Sequence, residues 1–145
     1  MESGLLTSWT FWALLSAGFA ALTAVFGKVG VEGVDPDVAT VIRTVVILLS
    51  LSFILLALGK LHSPGPLTPR TWIFLVLSGL ATGASWLCYF RALKLGPASL
   101  VAPVDKLSVV LVALFGVLFL GESLGPRQWV GVALVGTGAV LLALP

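Results

Sequence analysis

Apolar residues run along this chain in five long blocks, at about 8–27, 38–59, 71–93, 98–120 and 127–144. Short polar connections near 28–37, 60–70, 94–97 and 121–126 separate them. None of the blocks alternates apolar and polar positions in the two-residue rhythm of a barrel strand. At about 1.5 Å per residue, each is long enough to cross a hydrocarbon core of about 30 Å. A backbone in lipid must satisfy its own hydrogen bonds, and an unbroken apolar run does so as a helix. The pattern predicts an all-α integral membrane protein with five transmembrane helices. An odd number puts the N-terminus and C-terminus on opposite sides of the membrane.

Composition agrees. Hydrophobic residues make up 59% of the chain and charged residues 10%, against about 45–50% and about 25% in soluble domains. The mean hydropathy is +1.14. The 145 residues are expected to form one transmembrane domain, 1–145, with no soluble module. No Lys or Arg precedes Lys28, so the first block lacks the charged start of a signal peptide and is expected to remain as a span. The net charge of +2 is too small to suggest nucleic-acid binding. Cys88, the single cysteine, lies within the third span, where packing is its expected role. There is no nucleophile–base pair, metal-ligand spacing or phosphate-cradling loop, and His62 stands alone beside Pro64 and Pro66. Enzymatic activity and a cofactor are therefore not expected.

Orientation follows from the placement of Lys and Arg. The face that receives the N-terminus holds Lys60, Arg70 and Arg127; the opposite face holds Lys28, Arg91 and Lys94. The embedded Arg43 and Lys106 can snorkel toward the second face, giving it a slight excess and a weak preference for the cytoplasm. So even a distribution is compatible with insertion in both orientations, and equally with ordinary scatter in a small protein. Trp9, Trp12, Trp72 and Trp129 all lie at the N-terminal-side ends of their helices, as interfacial anchors do. Trp86 differs, lying about 22 Å along the third helix by rise, where it packs in the bundle or lines a cavity.

Ionisable residues inside the membrane are costly and are functional candidates by default. Arg91 and Lys94 end the third helix, where cations favour the C-terminal dipole. Asp105 is short and lies about 10 Å beyond the start of its helix, so it needs a cation or a proton. Arg43 enters the membrane to a similar depth, making an Arg43–Asp105 pair geometrically feasible. Lys106 is next in sequence but offset by about 100° around the helix. Internal pairing and an aqueous pathway both fit. Pro103 predicts a kink in that same helix, and freed carbonyls near Asp105 are of the kind that bind substrate or ions in broken helices.

Ser78, Thr82, Ser85 and Tyr89 share one face of the third helix, and Trp12, Ser16, Phe19 and Thr23 one face of the first. Gly79 and Gly83 form a GxxxG suited to close helix approach. The fifth helix carries Gly131, Ala133, Gly136, Thr137 and Gly138. Packing and substrate contact are both open for these stripes.

From Tyr89 to Leu142 the chain reads YFRALKLGPASLVAPVDKLSVVLVALFGVLFLGESLGPRQWVGVALVGTGAVLL. ALKLGPAS at a helix end, VAP opening the next, LGE at its exit and a glycine-rich last helix resemble the EamA family of the drug/metabolite transporter superfamily. FGKVG after the first helix and Arg43 early in the second fit as well. Familiar members of that family have ten helices in two inverted halves, and this chain looks like one half. The resemblance therefore implies a homodimer, antiparallel, with dual topology, which the even charge distribution fits independently. The membrane glutamate of smaller four-helix relatives has no counterpart, since no acid occurs between Glu2 and Glu32.

The resulting expectation is a secondary transporter for small organic metabolites or amphipathic compounds, working by alternating access in the cell membrane. Trp86 and Tyr89 are expected to contact substrate, Ser85 and Thr82 to offer hydrogen bonds, and Trp12 and Ser16 to contribute from the first helix. Arg43, Asp105 and Lys106 are the candidates for charge recognition or coupling. The alternatives are an accessory subunit of a hetero-complex and a flippase for a lipid-linked substrate.

Overall fold

Proline at the first helical position loses no needed donor and presets φ. Three helices begin that way, at Pro36, Pro69 and Pro126. The computed structural model describes residues 8–60 and 67–144; Glu2, His62, Pro64 and Pro66 lie outside them. Among the described residues the chain is helical, with α1 Trp9–Gly30, α2 Pro36–Ala57 and α3 Pro69–Leu95, then α4 Ala98–Asp105, α5 Ser108–Phe119 and α6 Pro126–Ala143.

Side chains close several helix starts. The Asp35 carboxylate accepts the N–H groups of Asp37 (2.9 Å) and Val38 (3.3 Å) at the head of α2, satisfying two of the donors that a helix start leaves free. The Thr68 hydroxyl accepts the Thr71 N–H at 3.2 Å and opens α3. At α6, Gln128 Oε1 reaches back to the Gly125 N–H, which is the returning half of a capping box. Gly59 and Gly121 adopt positive φ, 64° and 70°, just beyond the ends of α2 and α5, where an L side chain would be strained.

Four stretches are long and apolar enough to cross a membrane: Trp9–Gly30, Pro36–Ala57, Pro69–Leu95 and Ala98–Phe119. The fifth expected span forms a helix of 18 residues. Its first turn is Pro126, Arg127 and Gln128, which shortens the apolar part, and all 18 residues rise only about 27 Å. By length and composition four spans are clear among the described residues, and α6 follows them as a shorter helix.

The fourth block is not one helix. It divides at Lys106–Leu107 into α4 and α5. Pro103 has no N–H to give to Ser99, and tighter turns follow it. The N–H groups of Lys106, Leu107, Val109 and Val110 donate to carbonyls three residues back, at 2.9–3.0 Å. That is 3₁₀ geometry, the usual form of an interrupted helix. The kink expected at Pro103 thus becomes a break a few residues downstream.

The chain divides into two compact units, one made of Met1–Lys28 with Leu95–Pro145 and the other of Val29–Lys94. In the first, α6 packs against α4 and α5, and Ala24, Gly116, Gly136 and Ala139 are buried. A Cβ on Gly136 would lie 2.9 Å from Val110 Cγ2, so the glycine is what lets α6 approach α5. In the second, Val31, Thr40, Phe90 and Leu93 are buried. Most large apolar side chains elsewhere are exposed, the arrangement of helices whose outward faces meet lipid. Trp9, Trp12, Trp72 and Trp129 are among the exposed rings, as interfacial anchoring requires.

Candidate functional site

Two arginines of the second unit meet contrasting surroundings. Arg91, near the end of α3, donates to Asp37, in the first turn of α2: Nε to Oδ1 at 3.1 Å and Nη2 to Oδ2 at 2.7 Å. One turn on, Lys94 Nζ donates to the Val34 carbonyl at 2.6 Å. The start of α2 thus lies beside the end of α3, and the two helices run antiparallel. Deeper along the same pair, the Arg43 guanidinium lies over the Trp86 ring at 4.5 Å and over the Phe90 ring at 5.2 Å. Trp86 and Phe90 are four residues apart on α3, so their rings share a face. The attraction is that of a cation for the negative face of an aromatic ring.

Arg43 and Trp86, expected separately from the sequence, are therefore brought together. Phe90 is the residue that sequence reasoning missed, and its spacing from Trp86 was the available signal. Asp37 was missed as well. The resemblance in height between Arg91 and the 28–37 connection pointed to it.

Four hydroxyls on these helices are directed at their own backbone. Thr82 Oγ1 donates to the Ser78 carbonyl at 2.9 Å, Thr40 to Pro36 at 2.8 Å, Thr44 to Thr40 at 2.7 Å and Ser50 to Val46 at 2.8 Å. Thr82 therefore offers lone pairs to a ligand, with its proton already engaged. Ser85 is exposed and Tyr89 half-buried, with the Tyr89 ring edge-on to Phe90 at 6.4 Å.

The remaining candidates belong to the first unit. Lys106 Nζ holds Asp105 Oδ2 at 3.1 Å. The offset of about 100° between neighbours argues against that pair inside a regular helix. Lys106, however, is the residue at which α4 ends, so its long side chain is free to turn back. Trp12 and Ser16 are exposed on α1, with the Trp12 ring edge-on to Phe11 at 5.5 Å. At the head of the unit, Lys28 Nζ donates to the Gly96 carbonyl at 3.0 Å. A groove of about 660 Å³ runs between α5 and α6, lined by Leu107, Val110, Leu111, Gly136 and Val140, with Thr137 as its hydroxyl. None of the residues expected to bind substrate lines it. Among the described residues no group of three or more His, Cys, Asp or Glu is placed to hold a metal ion. Among the described residues, a Cβ on Gly79 or Gly83 would meet no atom within 4 Å.

The EamA-like transporter family matches residues 7–144, nearly the whole chain. The chain belongs to that family. EamA-like proteins stand within the drug/metabolite transporter superfamily, and with its four clear spans this member is a multi-pass membrane protein. Among similar proteins is one of a Sinorhizobium species named "uncharacterized transporter in cobO 3′ region". It is 64% identical over 137 residues, covering 94% of this chain and 97% of its own length. The Bacillus subtilis uncharacterized transporter YwfM is 32% identical over 80 residues, 53% of this chain and 26% of YwfM. A Proteus mirabilis protein, named as the probable 4-amino-4-deoxy-L-arabinose-phosphoundecaprenol flippase subunit ArnE, is 29% identical over 76 residues. The match covers 52% of this chain and 67% of that protein. No solved structure matches the chain.

Proposed function

We propose that this EamA-like protein is a secondary transporter that moves small organic metabolites or amphipathic compounds across the cell membrane by alternating access, without enzymatic activity. The observation that carries the reading is the family match over residues 7–144. In this reading the chain acts as one transmembrane domain with five crossings and pairs with a second, inverted copy. Two observations support the pairing. Lys and Arg are divided almost evenly between the two faces, and the Sinorhizobium transporter is matched over 97% of its own length, so a relative of this size exists.

Trp86 and Tyr89 supply the aromatic contacts for substrate, with Ser85 and Thr82 beside them on α3. Trp12 and Ser16 contribute from α1. Arg43 recognises charge, while Asp105 and Lys106, at the break between α4 and α5, act as the coupling pair. Reconstitution in liposomes tests the reading. Concentration-driven uptake is expected for the intact protein, and Trp86→Ala and Asp105→Asn should lower it. Flux unaltered in both variants overturns the site assignment.

A second reading, a flippase for a lipid-linked substrate or a subunit of a hetero-complex, draws on the name of the Proteus relative. Purification separates it from the first: a stable homodimer favours the transporter, an obligatory second chain the subunit.

A further inference from the structure

Helices α2 and α3 build one arginine with a counter-ion and one without. Arg91 is neutralised by Asp37 through two hydrogen bonds. Arg43, roughly one and a half turns further into α2, faces aromatic rings instead. Among the described residues the ion pairs are made by Arg91 and Lys106, whereas Arg43 meets the Trp86 and Phe90 rings and interacts electrostatically with the neighbouring Tyr89. The acids at the start of α2 are already engaged. Asp37 holds Arg91, and Asp35 accepts the backbone N–H groups of Asp37 and Val38.

A guanidinium held in a membrane helix without an acceptor is costly, and two ring faces offset only part of that cost. Its five N–H donors form a planar fork. Contact with Trp86 and Phe90 restrains that fork while supplying no acceptor for it. A forked donor fits a carboxylate or phosphate at two oxygens at once, and the adjoining indole suits an apolar or aromatic body attached to the anion.

We propose that Arg43, framed by Trp86 and Phe90, is a recognition site for the carboxylate or phosphate of an apolar or aromatic ligand. The inference rests on the transporter reading and names the charge class of its cargo. The same chemistry is offered by a solute and by a lipid headgroup phosphate.

The test uses the full chain in phosphatidylcholine nanodiscs, with benzoate and inorganic phosphate as anionic probes and benzylamine as the cationic control. Tryptophan emission and thermal stability are the readouts, and an unchanged helical circular-dichroism signal establishes folding of each variant. Benzoate is expected to shift both readouts of the native chain, and benzylamine neither. Arg43→Gln should weaken benzoate binding on the order of tenfold to a hundredfold. Arg43→Lys should fall between, since an ammonium keeps the charge and loses the fork.

Nanodiscs of phosphatidylglycerol distinguish the two sources. If the headgroup is the occupant, phosphatidylglycerol stabilises the native chain, blocks benzoate and loses both effects in Arg43→Gln; the anion site stands and belongs to lipid. A native chain indifferent to benzoate, phosphate and phosphatidylglycerol overturns the proposal. So does a folded Arg43→Gln or Arg43→Lys series that responds as the native chain does. Flux of a cationic solute undisturbed by Arg43→Gln, together with no response to benzoate, phosphate or phosphatidylglycerol, sinks the anion site and leaves transport standing. Arg43-dependent benzoate binding without flux of any organic anion does the reverse.

Discussion

The guanidinium of Arg91 grips Asp37 at both carboxylate oxygens, joining the last turns of α3 to the first turn of α2. Both side chains are about half exposed, at 60% and 47%, so the pair is open to screening. Its worth lies in register, since a bidentate fork fixes orientation as well as distance. Asp37 has a second role, because a carboxylate in the first turn also faces the positive end of α2.

Asp37→Ala should therefore lower the melting temperature more than Arg91→Ala. The double variant should lose no more than Asp37→Ala alone. Thermal unfolding in detergent, at low and high salt, checks this. Fully additive losses would show that the two groups are not coupled.

Asp35→Ala removes the acceptor for two backbone donors of α2 and should cost about 1 kcal/mol. Asp35→Asn keeps an acceptor and should cost a few tenths. Chemical or thermal unfolding of both variants gives the comparison, and equal losses would deny the cap.

Gly136→Ala places a methyl 2.9 Å from Val110 Cγ2. Valine is stiff at χ1 and cannot swing aside, so the variant should cost about 1–3 kcal/mol. Val110→Ala in the same chain should recover most of that loss. A double variant no more stable than Gly136→Ala would place the strain elsewhere.

Glycines in open surroundings should behave differently according to their backbone. Gly121 sits at φ 70°, so Gly121→Ala should cost about 1–2 kcal/mol although nothing crowds the position. Gly18 lies in α1, where a Cβ would meet no atom within 4 Å. There alanine should stabilise by about 0.5–1 kcal/mol. Opposite signs in thermal unfolding are the expected result.

Much of the fold is legible from residue order alone. The apolar blocks locate the helices to within a few residues, because in lipid no other backbone form satisfies itself. Pro36, Pro69 and Pro126 mark starts that the runs leave vague. Pro103 announces an interruption, yet its position at Lys106–Leu107 depends on which carbonyls the following N–H groups choose. The site is less legible. Periodicity tells which residues share a face of one helix, but not what another helix brings opposite them. Depth alone suggests Asp105 for Arg43, whereas the structure puts two rings of α3 there. Asp105 finds Lys106 because α4 ends at that residue. Family membership was carried by ALKLGPAS, VAP and LGE, whose combination identifies a fold and leaves the cargo open.

Thr40, Thr44 and Ser50 each return their proton to a carbonyl one turn earlier. A hydroxyl so engaged presents oil with little more than a methyl-sized, weakly polar stub. Such residues travel through the bilayer as near-equivalents of valine and alanine, and need no accompanying water. The apparent wetness of these helices in one-letter code thus overstates what a passing molecule would meet, and exchanging Thr44 for valine removes a letter of polarity without drying any path.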